Sequence, residues 1–431
     1  LDSLNGIVIS YNGIFTTHTG GIPTYQNKNT LELIGSYYHS LVLTNDTIKI
    51  LTPITINGSL KLKKGVKVVE FEGPYYVRIY GTLTAEGSKD QILKFTVADT
   101  ILTGSNTKWQ RIDIYSNDAN AQSTIQYCKF TYSDYGLFAN RGKLFISNSY
   151  FSNSNTAIYA DNITEGLIVN NEFTQLSSNV LSLSQCNKVL VENNNISGNN
   201  ANACVQVTAS SNIVFNQNIV SRNSGYRIFW FENSDVTLQL TKICNNAAGI
   251  VVNNGKLLIN NCLIANNNYQ AYFEPPYNVG IIIANNCQLD VLNSTIVNNK
   301  YPYTGYPGGA IVYRFSGGTV YNSILWNNYI YDNDSSSWQP YQVYLYNNTS
   351  RPNFYFSNIQ GGLNYFKKNT GVTFYGKYEN NHNNDPLFIQ PTVDFGNDTG
   401  HNFDALNANW QLSENSPDIN TGTLDIGLLS L

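Results

Sequence analysis

The strongest constraint on the fold of this chain is an internal repeat of about 22 residues. An apolar residue that follows a polar or asparagine-containing triplet recurs along the chain, as in "NNEF", "NNNI" and "NCLI". The recurring positions are Phe130, Phe151, Phe173, Ile196, Ile219, Ile243, Ile264, Ile296, Leu325 and Ile359. Their spacing is 21 to 24 residues up to Ile264 and then lengthens to 32, 29 and 34. A weaker copy at Gly58 and Gly81 predicts that the array begins near residue 50.

Each repeat contains short strands rather than helices. Runs of four or five residues alternate between apolar and polar positions, are rich in β-branched and aromatic residues, and are separated by Asn, Gly and Ser. A leucine-rich repeat would need a fixed leucine ladder and a helical return segment, whereas here Ile, Val, Phe and Leu interchange. The pattern therefore predicts an all-β protein, a solenoid of the parallel β-helix type.

Pairs of asparagine between the predicted strands fit this architecture. In a coil of parallel strands each corner recurs about 4.8 Å above the previous one, so asparagines at equivalent corners meet. The amide can donate to one neighbour and accept from the other, and asparagine tolerates the left-handed backbone of a tight corner. We interpret these residues as scaffold.

The repeat boundaries divide the chain into three parts. We predict an N-terminal cap at residues 1–50, a parallel β-helix at 51–364 and a C-terminal cap segment at 365–431. Caps are expected because an exposed first or last rung would offer an open strand edge to other chains.

The composition excludes some classes of partner. The chain has 25 Lys and Arg against 29 Asp and Glu, a net charge of −4 and no basic run, so no nucleic-acid partner is expected. No apolar stretch is long enough to span a bilayer. The six cysteines lack zinc-like spacing, and we interpret them as buried small apolar groups, with one or two disulfides as the alternative.

Three passages carry a family resemblance. They are "GSLKLKKGVKVVEFEGPYYVRIYGTLTAEGSKDQILKFT" at 58–96, "VYNSILWNN" at 320–328, and an ending made of "NNDPLF" at 383–388, "NWQLSENSPDINTG" at 409–422 and "DIG" at 425–427. In these the chain resembles right-handed parallel β-helix proteins of the pectin-lyase-like superfamily, particularly the secreted or cell-surface type from Bacteroidetes. The resemblance implies such a location and a glycan-related role. It carries over no catalytic residue, because none of these passages is catalytic in the family.

Three late repeats contain insertions at the same place, directly after an asparagine pair. They are "YQAYFEPPYN" at 269–278, "KYPYTGYPGG" at 300–309 and "YIYDNDSSSWQP" at 329–340. Equivalent insertions in a solenoid lie on one face, which is often the binding face. Their aromatic residues, among them Tyr272, Tyr303 and Trp338, suit sugar rings. The alternative is that these rings fill space between long loops.

The strand that follows each insertion predicts a floor for a groove. Because alternate residues point to opposite sides, we place Phe229, Phe231, Tyr344 and Tyr346 on the outer face. Exposed apolar surface of this kind tends to mark binding sites. Arg314 is predicted to lie on the same outer face. It would hold a uronate or a sulfate, or would form a salt bridge with Asp332 or Glu274.

Catalysis has weaker support in the sequence. A hydrolase needs two carboxylates roughly 5 to 9.5 Å apart, and Glu274 with Asp332 or Asp334 would meet that requirement. A lyase would need a base and commonly a Ca²⁺ held by several carboxylates, of which "DND" at 332–334 supplies two.

We therefore expect a secreted or cell-surface protein that binds a polysaccharide in this groove, with cleavage by a lyase or hydrolase reaction as the stronger form of the hypothesis. The competing hypothesis is a non-catalytic adhesin or structural protein. No metal site and no cofactor are expected, apart from Ca²⁺ in the case of a lyase. We expect a monomer that does not span a membrane.

Overall fold

The structure is a computed structural model that describes residues 6–10, 13–17, 29–98, 108–268, 279–301, 308–332, 335–393 and 404–424. The chain divides into two compact units, which we call unit 1 (Leu1–Glu172) and unit 2 (Phe173–Leu431). Within the described residues the one helix is a short 3₁₀ turn at Leu363–Tyr365. No helix in these ranges has the length and hydrophobicity needed to cross a bilayer. The predicted all-β class is confirmed.

In unit 1 each coil passes through three parallel sheets, which we call the first, second and third in chain order. The first sheet contains Thr30–Leu33, Thr47–Ile50, Val68–Phe71, Leu93–Val97, Cys128–Thr131 and Tyr150–Ser154. The second contains Ser36–Tyr37, Ile54–Ile56, Tyr76–Ile79 and Arg111–Tyr115, and the third contains Leu41–Leu43, Leu60–Leu62, Leu83–Glu86 and Gln122–Gln126. Two long strands, Tyr135–Ser147 and Thr156–Val169, run through both the second and the third sheets. A separate antiparallel hairpin joins Gly6–Ser10 to Gly13–Thr17.

Unit 2 repeats the same three sheets. Its first sheet begins with Glu172–Leu176, a strand whose first residue belongs to unit 1, and continues with Asn195–Ser197, Ile219–Ser221, Lys242–Cys244, Leu263–Ala265, Thr295–Val297, Ile324–Trp326 and Asn358–Ile359. Its second contains Asn179–Ser184, Asn200–Thr208, Ser224–Glu232, Ile250–Asn253, Val279–Asn285, Gly308–Arg314, Val343–Leu345 and Lys367–Lys368. Its third contains Asn187–Glu192, Ser211–Asn216, Asp235–Gln239, Lys256–Asn260, Gln288–Leu292, Gly317–Tyr321, Arg351–Tyr355 and Tyr378–Glu379. Parallel pairing between successive coils makes each unit a β-helix.

The asparagine pairs occupy corners of the coils. At Asn266 the backbone has a φ of 55°, and the next residue, Asn267, points into the interior and is fully buried. Asn267 Nδ2 donates to Asn299 Oδ1 at 2.9 Å, and Asn267 Oδ1 accepts from Asn246 Nδ2 at 2.9 Å. The ladder consists of Asn199, Asn223, Asn246, Asn267, Asn299 and Asn328. The interpretation of these residues as scaffold is confirmed.

Cysteine and serine take the same place at other corners. The backbone N–H of Cys262 donates to Ser294 Oγ at 3.0 Å, and that of Cys186 donates to Ser210 Oγ at 2.9 Å. All six cysteines are buried and free. Their interpretation as small buried groups is confirmed, and the disulfide alternative is wrong in this structure.

The coil interior is filled by stacked apolar side chains. In unit 1 the rings of Phe95, Phe130 and Phe151 lie one above another with centroids 4.5 and 4.8 Å apart. Such rows follow from parallel pairing in register, because the same inward position recurs in every coil. At the end of unit 2 the interior is closed by rings of Phe354, Phe366, Phe374 and Tyr378.

The sheets extend beyond the predicted boundaries. Parallel pairing already joins Thr30–Leu33 to Thr47–Ile50, upstream of residue 51. At the other end, Lys367–Lys368 and Tyr378–Glu379 pair with the preceding strands, beyond residue 364. The coils therefore take up part of both segments that the sequence assigns to caps.

The last described residues of unit 2 return along its first sheet. Ala405 packs with Cys244, Ala265 and Val297 in one buried cluster, and Trp410 lies against it. Asp404 forms an ion pair with Arg222 at 3.0 Å. Small apolar residues on the outer side of this sheet need a cover, and this C-terminal segment provides it. Part of the segment that the sequence assigns to a C-terminal cap therefore also covers the outer side of the first sheet.

Candidate functional site

The third insertion forms a hairpin beside the second sheet of unit 2. Tyr329–Asp332 pairs antiparallel with Ser337–Gln339, and Tyr331 lies opposite Trp338. The Trp338 ring meets the Tyr331 ring edge to face at 5.5 Å, and Lys300 Nζ lies 4.6 Å from the centroid of the Trp338 ring. We call this hairpin, together with Tyr341, Tyr344 and Lys367, the hairpin flank.

The starts of the three insertions lie side by side. Asn268 forms a parallel bridge with Lys300, and Lys300 pairs with Tyr329. Insertions one and two otherwise lie largely outside the described residues, and so do Tyr272, Glu274, Tyr303 and Asp334. The described residues thus bring the insertions together where they leave the coils.

Asp332 lies at the centre of a cluster of polar side chains in the hairpin flank. The Tyr341 hydroxyl donates to Asp332 Oδ2 at 3.0 Å, and Lys367 Nζ lies 3.5 Å from Asp332 Oδ2. The side chains of Asp332 and Lys367 are 10 % and 23 % exposed. Lys367 comes from the last strand of the second sheet, where it pairs with Tyr344. A carboxylate, an ammonium and a phenol from three different segments therefore meet.

Tyr344 lies on the outer side of the second sheet, as predicted, but it is covered rather than exposed. Its side chain is fully buried, and its hydroxyl has no hydrogen-bond partner within the described ranges. Burial raises the pKa of Tyr344 to about 12, so the hydroxyl stays neutral and can both donate and accept. Buried polar groups almost always have a partner, so this atom points to a ligand or a water.

Arg314 and Tyr346 lie together on the same outer side. The guanidinium carbon of Arg314 is 4.7 Å from the centroid of the Tyr346 ring and 5.8 Å from that of Phe315. Stacking against a ring holds the planar guanidinium in one orientation. The prediction that Arg314 and Tyr346 share one surface is confirmed.

The predicted outward orientation of Phe229 and Phe231 is wrong. Both side chains are fully buried inside the coil, where the Phe229 ring lies 5.6 Å from the ring of Phe215. Phe229 pairs with Val205 on one side and Ile250 on the other, so the outward residue of this strand is Trp230. The sequence alignment was one residue out of register here, and a slip of one residue moves every side chain of a strand to the opposite face.

Two members of the hairpin flank were missed by sequence analysis. Lys367 lies in the segment that was predicted to be a cap, and Tyr341 follows the insertion without any repeat pattern. The strand pairing of Lys367 with Tyr344 depends on a coil that the sequence did not reveal.

No group of three or more His, Cys, Asp or Glu residues within the described ranges is arranged to hold a metal ion. A cavity of about 470 Å³ lies elsewhere in unit 2, between the first sheet and the C-terminal segment. Its lining includes Asn298, Trp326, Gln360, Asp385 and Phe388, and none of the predicted site residues. Its amides are already bonded, as when Asn298 Nδ2 donates to Thr392 Oγ1 at 3.0 Å.

One comparison with known proteins agrees with the fold. A family model described as "Right handed beta helix region" matches residues 93–243. Among solved structures the chain is similar to the A-module of the mannuronan C-5 epimerase AlgE4 from Azotobacter vinelandii. That match has 16 % sequence identity and a TM-score of 0.40, and covers 77 % of this chain and 90 % of that chain. The comparison with curated proteins gives no match.

Proposed function

We propose that this right-handed β-helix protein binds a polysaccharide at the hairpin flank of unit 2, outside the cell or on its surface. The observation that carries the proposal is the fully buried Tyr344 hydroxyl, which has no partner in the described part of the chain and lies beside the Asp332, Tyr341 and Lys367 cluster. A sugar hydroxyl that displaces part of the cover over Tyr344 would complete its hydrogen bonding. Trp338, on the same hairpin as Asp332, offers an aromatic surface to an apolar sugar face.

The charges of the flank favour an acidic polysaccharide. Lys367 faces Asp332 in the flank, and beside it Lys300 lies over the Trp338 ring and Arg314 over the Tyr346 ring. Lysine and arginine donate charge-assisted hydrogen bonds to carboxylates and sulfates. Asp332 is already bonded to Tyr341 and faces Lys367, which suits an orienting role in binding.

Binding is the core of the proposal, and cleavage is a separate outcome. Hydrolysis needs a second carboxylate across the scissile bond, and the predicted partners Glu274 and Asp334 lie outside the described residues. Incubation with polygalacturonate, alginate and dextran, followed by ultraviolet absorbance of unsaturated ends and by reducing sugar, separates lyase, hydrolase and binder.

The decisive variants are Trp338→Ala and Tyr344→Phe, with Tyr38→Ala as the control. Tyr38 is 81 % exposed in unit 1, so the control removes one surface ring elsewhere. In affinity electrophoresis through polygalacturonate we expect Trp338→Ala to weaken binding about ten-fold and Tyr344→Phe to weaken it several-fold, since one hydrogen bond contributes about 1 kcal/mol.

Tyr344→Phe also separates a binding role from a structural one. Removing a buried hydroxyl that has no partner among the described residues should leave the melting temperature unchanged or raise it, because no described bond is lost. Equal binding by Trp338→Ala and Tyr38→Ala would instead support the non-catalytic adhesin or structural protein, with the rings of the flank acting in packing.

A further inference from the structure

Unit 1 carries a second charged surface, on the outer side of its second sheet. Arg78 and Asp113 lie opposite each other on adjacent strands, and Arg111 precedes Asp113 by two residues on the same strand. Arg78 Nε and Nη2 each lie 3.2 Å from Asp113 Oδ2, and Arg111 Nε lies 2.7 Å from Asp113 Oδ1. We call Arg78, Arg111, Asp113 and the rings beside them the guanidinium surface.

The burial of these groups is unequal. Asp113 is fully buried, whereas the side chains of Arg78 and Arg111 are 29 % and 36 % exposed. Burial raises the pKa of the Asp113 carboxyl, and the two guanidiniums oppose that rise. The carboxylate therefore lies underneath, and the two cations face outward.

Two cations around one carboxylate leave an excess of one positive charge. A structural ion pair with Asp113 would need a single arginine. Arg78 donates two hydrogen bonds to Asp113, whereas Arg111 approaches it only as an ion pair, and no other acceptor in the described part of the chain bonds either guanidinium. The remaining N–H groups are donors in a planar, fixed arrangement that matches a carboxylate or a sulfate.

Aromatic rings hold the guanidiniums in place. The guanidinium carbon of Arg78 lies 4.8 Å from the Tyr76 ring centroid and 5.7 Å from that of Tyr115. That of Arg111 lies 5.8 Å from the Phe138 centroid. Contacts of this kind restrict the side-chain rotamers, so less entropy is lost when an anion binds.

The rings themselves form a row along the sheet. Centroids are 5.7 Å apart between Tyr80 and Tyr115, 5.5 Å between Tyr115 and Phe138, and 5.3 Å between Phe138 and Tyr159. Because these rings face one another, they present mainly edges and hydroxyl groups to an outside partner. The row therefore supplies hydrogen bonds rather than a flat platform for stacking.

We propose that the guanidinium surface of unit 1 is a second binding site, which takes an anionic group of a glycan between Arg78 and Arg111. The carboxylate or sulfate accepts hydrogen bonds from both guanidiniums, and the hydroxyls of Tyr80 and Tyr115 bond to neighbouring sugar hydroxyls. Asp113 is a positioning residue, because it holds both cations and does not touch the ligand. This site is independent of the hairpin flank.

The test compares Arg111→Gln with Lys129→Gln. Both variants remove one positive charge from unit 1, but Lys129 lies exposed on the first sheet, away from the aromatic row. Binding to polygalacturonate, dextran sulfate and neutral dextran is measured by affinity electrophoresis, with every variant placed in a Trp338→Ala background. That background removes the main ring of the proposed hairpin flank, so the result does not depend on whether that flank binds.

We expect Arg111→Gln to weaken binding to at least one anionic polymer about ten-fold, Lys129→Gln to change it less than about two-fold, and dextran to respond to neither. A response to polygalacturonate alone identifies a carboxylate ligand, and a response to dextran sulfate alone identifies a sulfate ligand. Equal effects of the two variants would overturn the proposal, since binding would then follow net charge alone.

A second variant distinguishes a loss of anion binding from a loss of folding. Arg78→Lys keeps the charge and its ion pair with Asp113 but loses the planar fork of donors. We expect a several-fold loss of anion binding with an unchanged melting temperature. Full binding by Arg78→Lys, or by Arg111→Gln, would show that no paired recognition takes place at this surface.

Discussion

Unit 1 and unit 2 have the same three sheets but place their outward-facing charges by different means. In unit 1, Arg78, Arg111 and Asp113 all belong to regular strands, so strand pairing alone brings them together. In unit 2, Asp332 and Trp338 come from an inserted hairpin, and Lys367 comes from the last coil. A solenoid can therefore build a polar surface either from residues that pair on neighbouring strands or from inserted loops. Only the paired residues can be predicted by aligning the repeats.

The same contrast appears in the first sheet. In unit 1 its outer side carries charged pairs such as Lys49 with Glu72, which are 2.9 Å apart and partly exposed. In unit 2 the outer side carries Ala265 and Val297, which are covered by the C-terminal segment around Ala405. Polar outer residues leave a sheet in contact with water, whereas apolar ones require a further layer.

Among the effects expected to distinguish the two units, the largest is a loss of stability at alkaline pH. Burial raises the pKa of Cys204, Cys244 and Cys262 to about 12 and that of Cys287 to about 11, all in unit 2. The same thiols in an unfolded chain ionise near 8.5. A raised folded-state pKa stabilises the fold below the unfolded value, and this contribution is lost as the pH rises through the folded value.

We expect the free energy of unfolding to fall by about 2 kcal/mol per thiol between pH 8 and pH 10, or about 8 kcal/mol for these four. Unfolding in guanidinium at pH 8 and pH 10, followed by tryptophan fluorescence, measures the loss. Cys204→Ala should reduce the pH-dependent part by about a quarter. Identical midpoints at the two pH values would contradict the assignment of these thiols as buried and protonated.

The second largest effect is expected at the corner residues, which should contribute different amounts to the stability of each unit. Asn267 donates to Asn299 and to the carbonyl of Ile243, and it accepts from Asn246. Removing it leaves several buried groups unpaired, so we expect Asn267→Ala to lower the free energy of unfolding by about 3 kcal/mol. In unit 1, Ser154 Oγ accepts from the backbone N–H and the hydroxyl of Ser133 and donates to the carbonyl of Ser152, each at 3.0 Å. Because Ser154→Ala breaks fewer bonds than Asn267→Ala, it should lose about 2 kcal/mol.

Chemical unfolding of the two corner variants, with the unmodified chain as reference, measures this difference. A loss for Ser154→Ala as large as that for Asn267→Ala would mean that the asparagine ladder adds nothing beyond an ordinary buried hydroxyl.

Smaller losses of stability are expected in variants of two carboxylates, Asp113 of unit 1 and Asp332 of unit 2. Asp113 is fully buried between two guanidiniums, so Asp113→Asn leaves both cations without a counter-charge. Breaking a buried pair costs about 3 to 5 kcal/mol, and because the arginines are partly exposed we expect about 2 kcal/mol. Asp332→Asn, at 3.5 Å from Lys367, should lose less than about 1 kcal/mol. Thermal melting of both variants tests the order, and a reversed order would place the stronger ion pair in unit 2.

The smallest expected effect concerns the ion pair on the first sheet of unit 1. Lys49→Gln removes the contact with Glu72, and the two side chains are 34 % and 24 % exposed. Water and salt screen such pairs, so we expect a loss of about 0.5 kcal/mol at low salt. The loss should vanish in about 1 M sodium chloride, where the Debye length is about 3 Å. A loss that persists at high salt would show that Lys49 acts through packing of its aliphatic chain.

Much of the scaffold followed from the sequence because its physics is local and repeated. The corner pairs such as Asn266 and Asn267 recur with the period of the coil, and the buried cysteines stand where serine and asparagine stand in other coils. The predicted outward orientation was correct at Tyr344. It failed at Phe229 and Phe231, where coils of unequal length shift the alternation by one residue.

The candidate sites could be predicted only in part. Asp332 and Trp338 were identified because they lie in an insertion with an unusual composition, and the structure places both in one hairpin. Arg78 and Arg111 were missed because the repeat is weakest in the early coils, where the sequence does not predict which side chains face outward. Lys367 was missed because its strand lies beyond the last recognisable repeat.

The sequence alone determined the all-β repeat, its period, the role of the asparagine corners and the burial of the cysteines. These features depend on residues that meet their own equivalents one coil away, and such contacts repeat with the sequence. The tertiary structure decided which unlike residues meet, as Lys367 does with Asp332 and Asp404 with Arg222. Those contacts join segments up to 182 residues apart, and no periodic pattern records where a chain folds back upon itself.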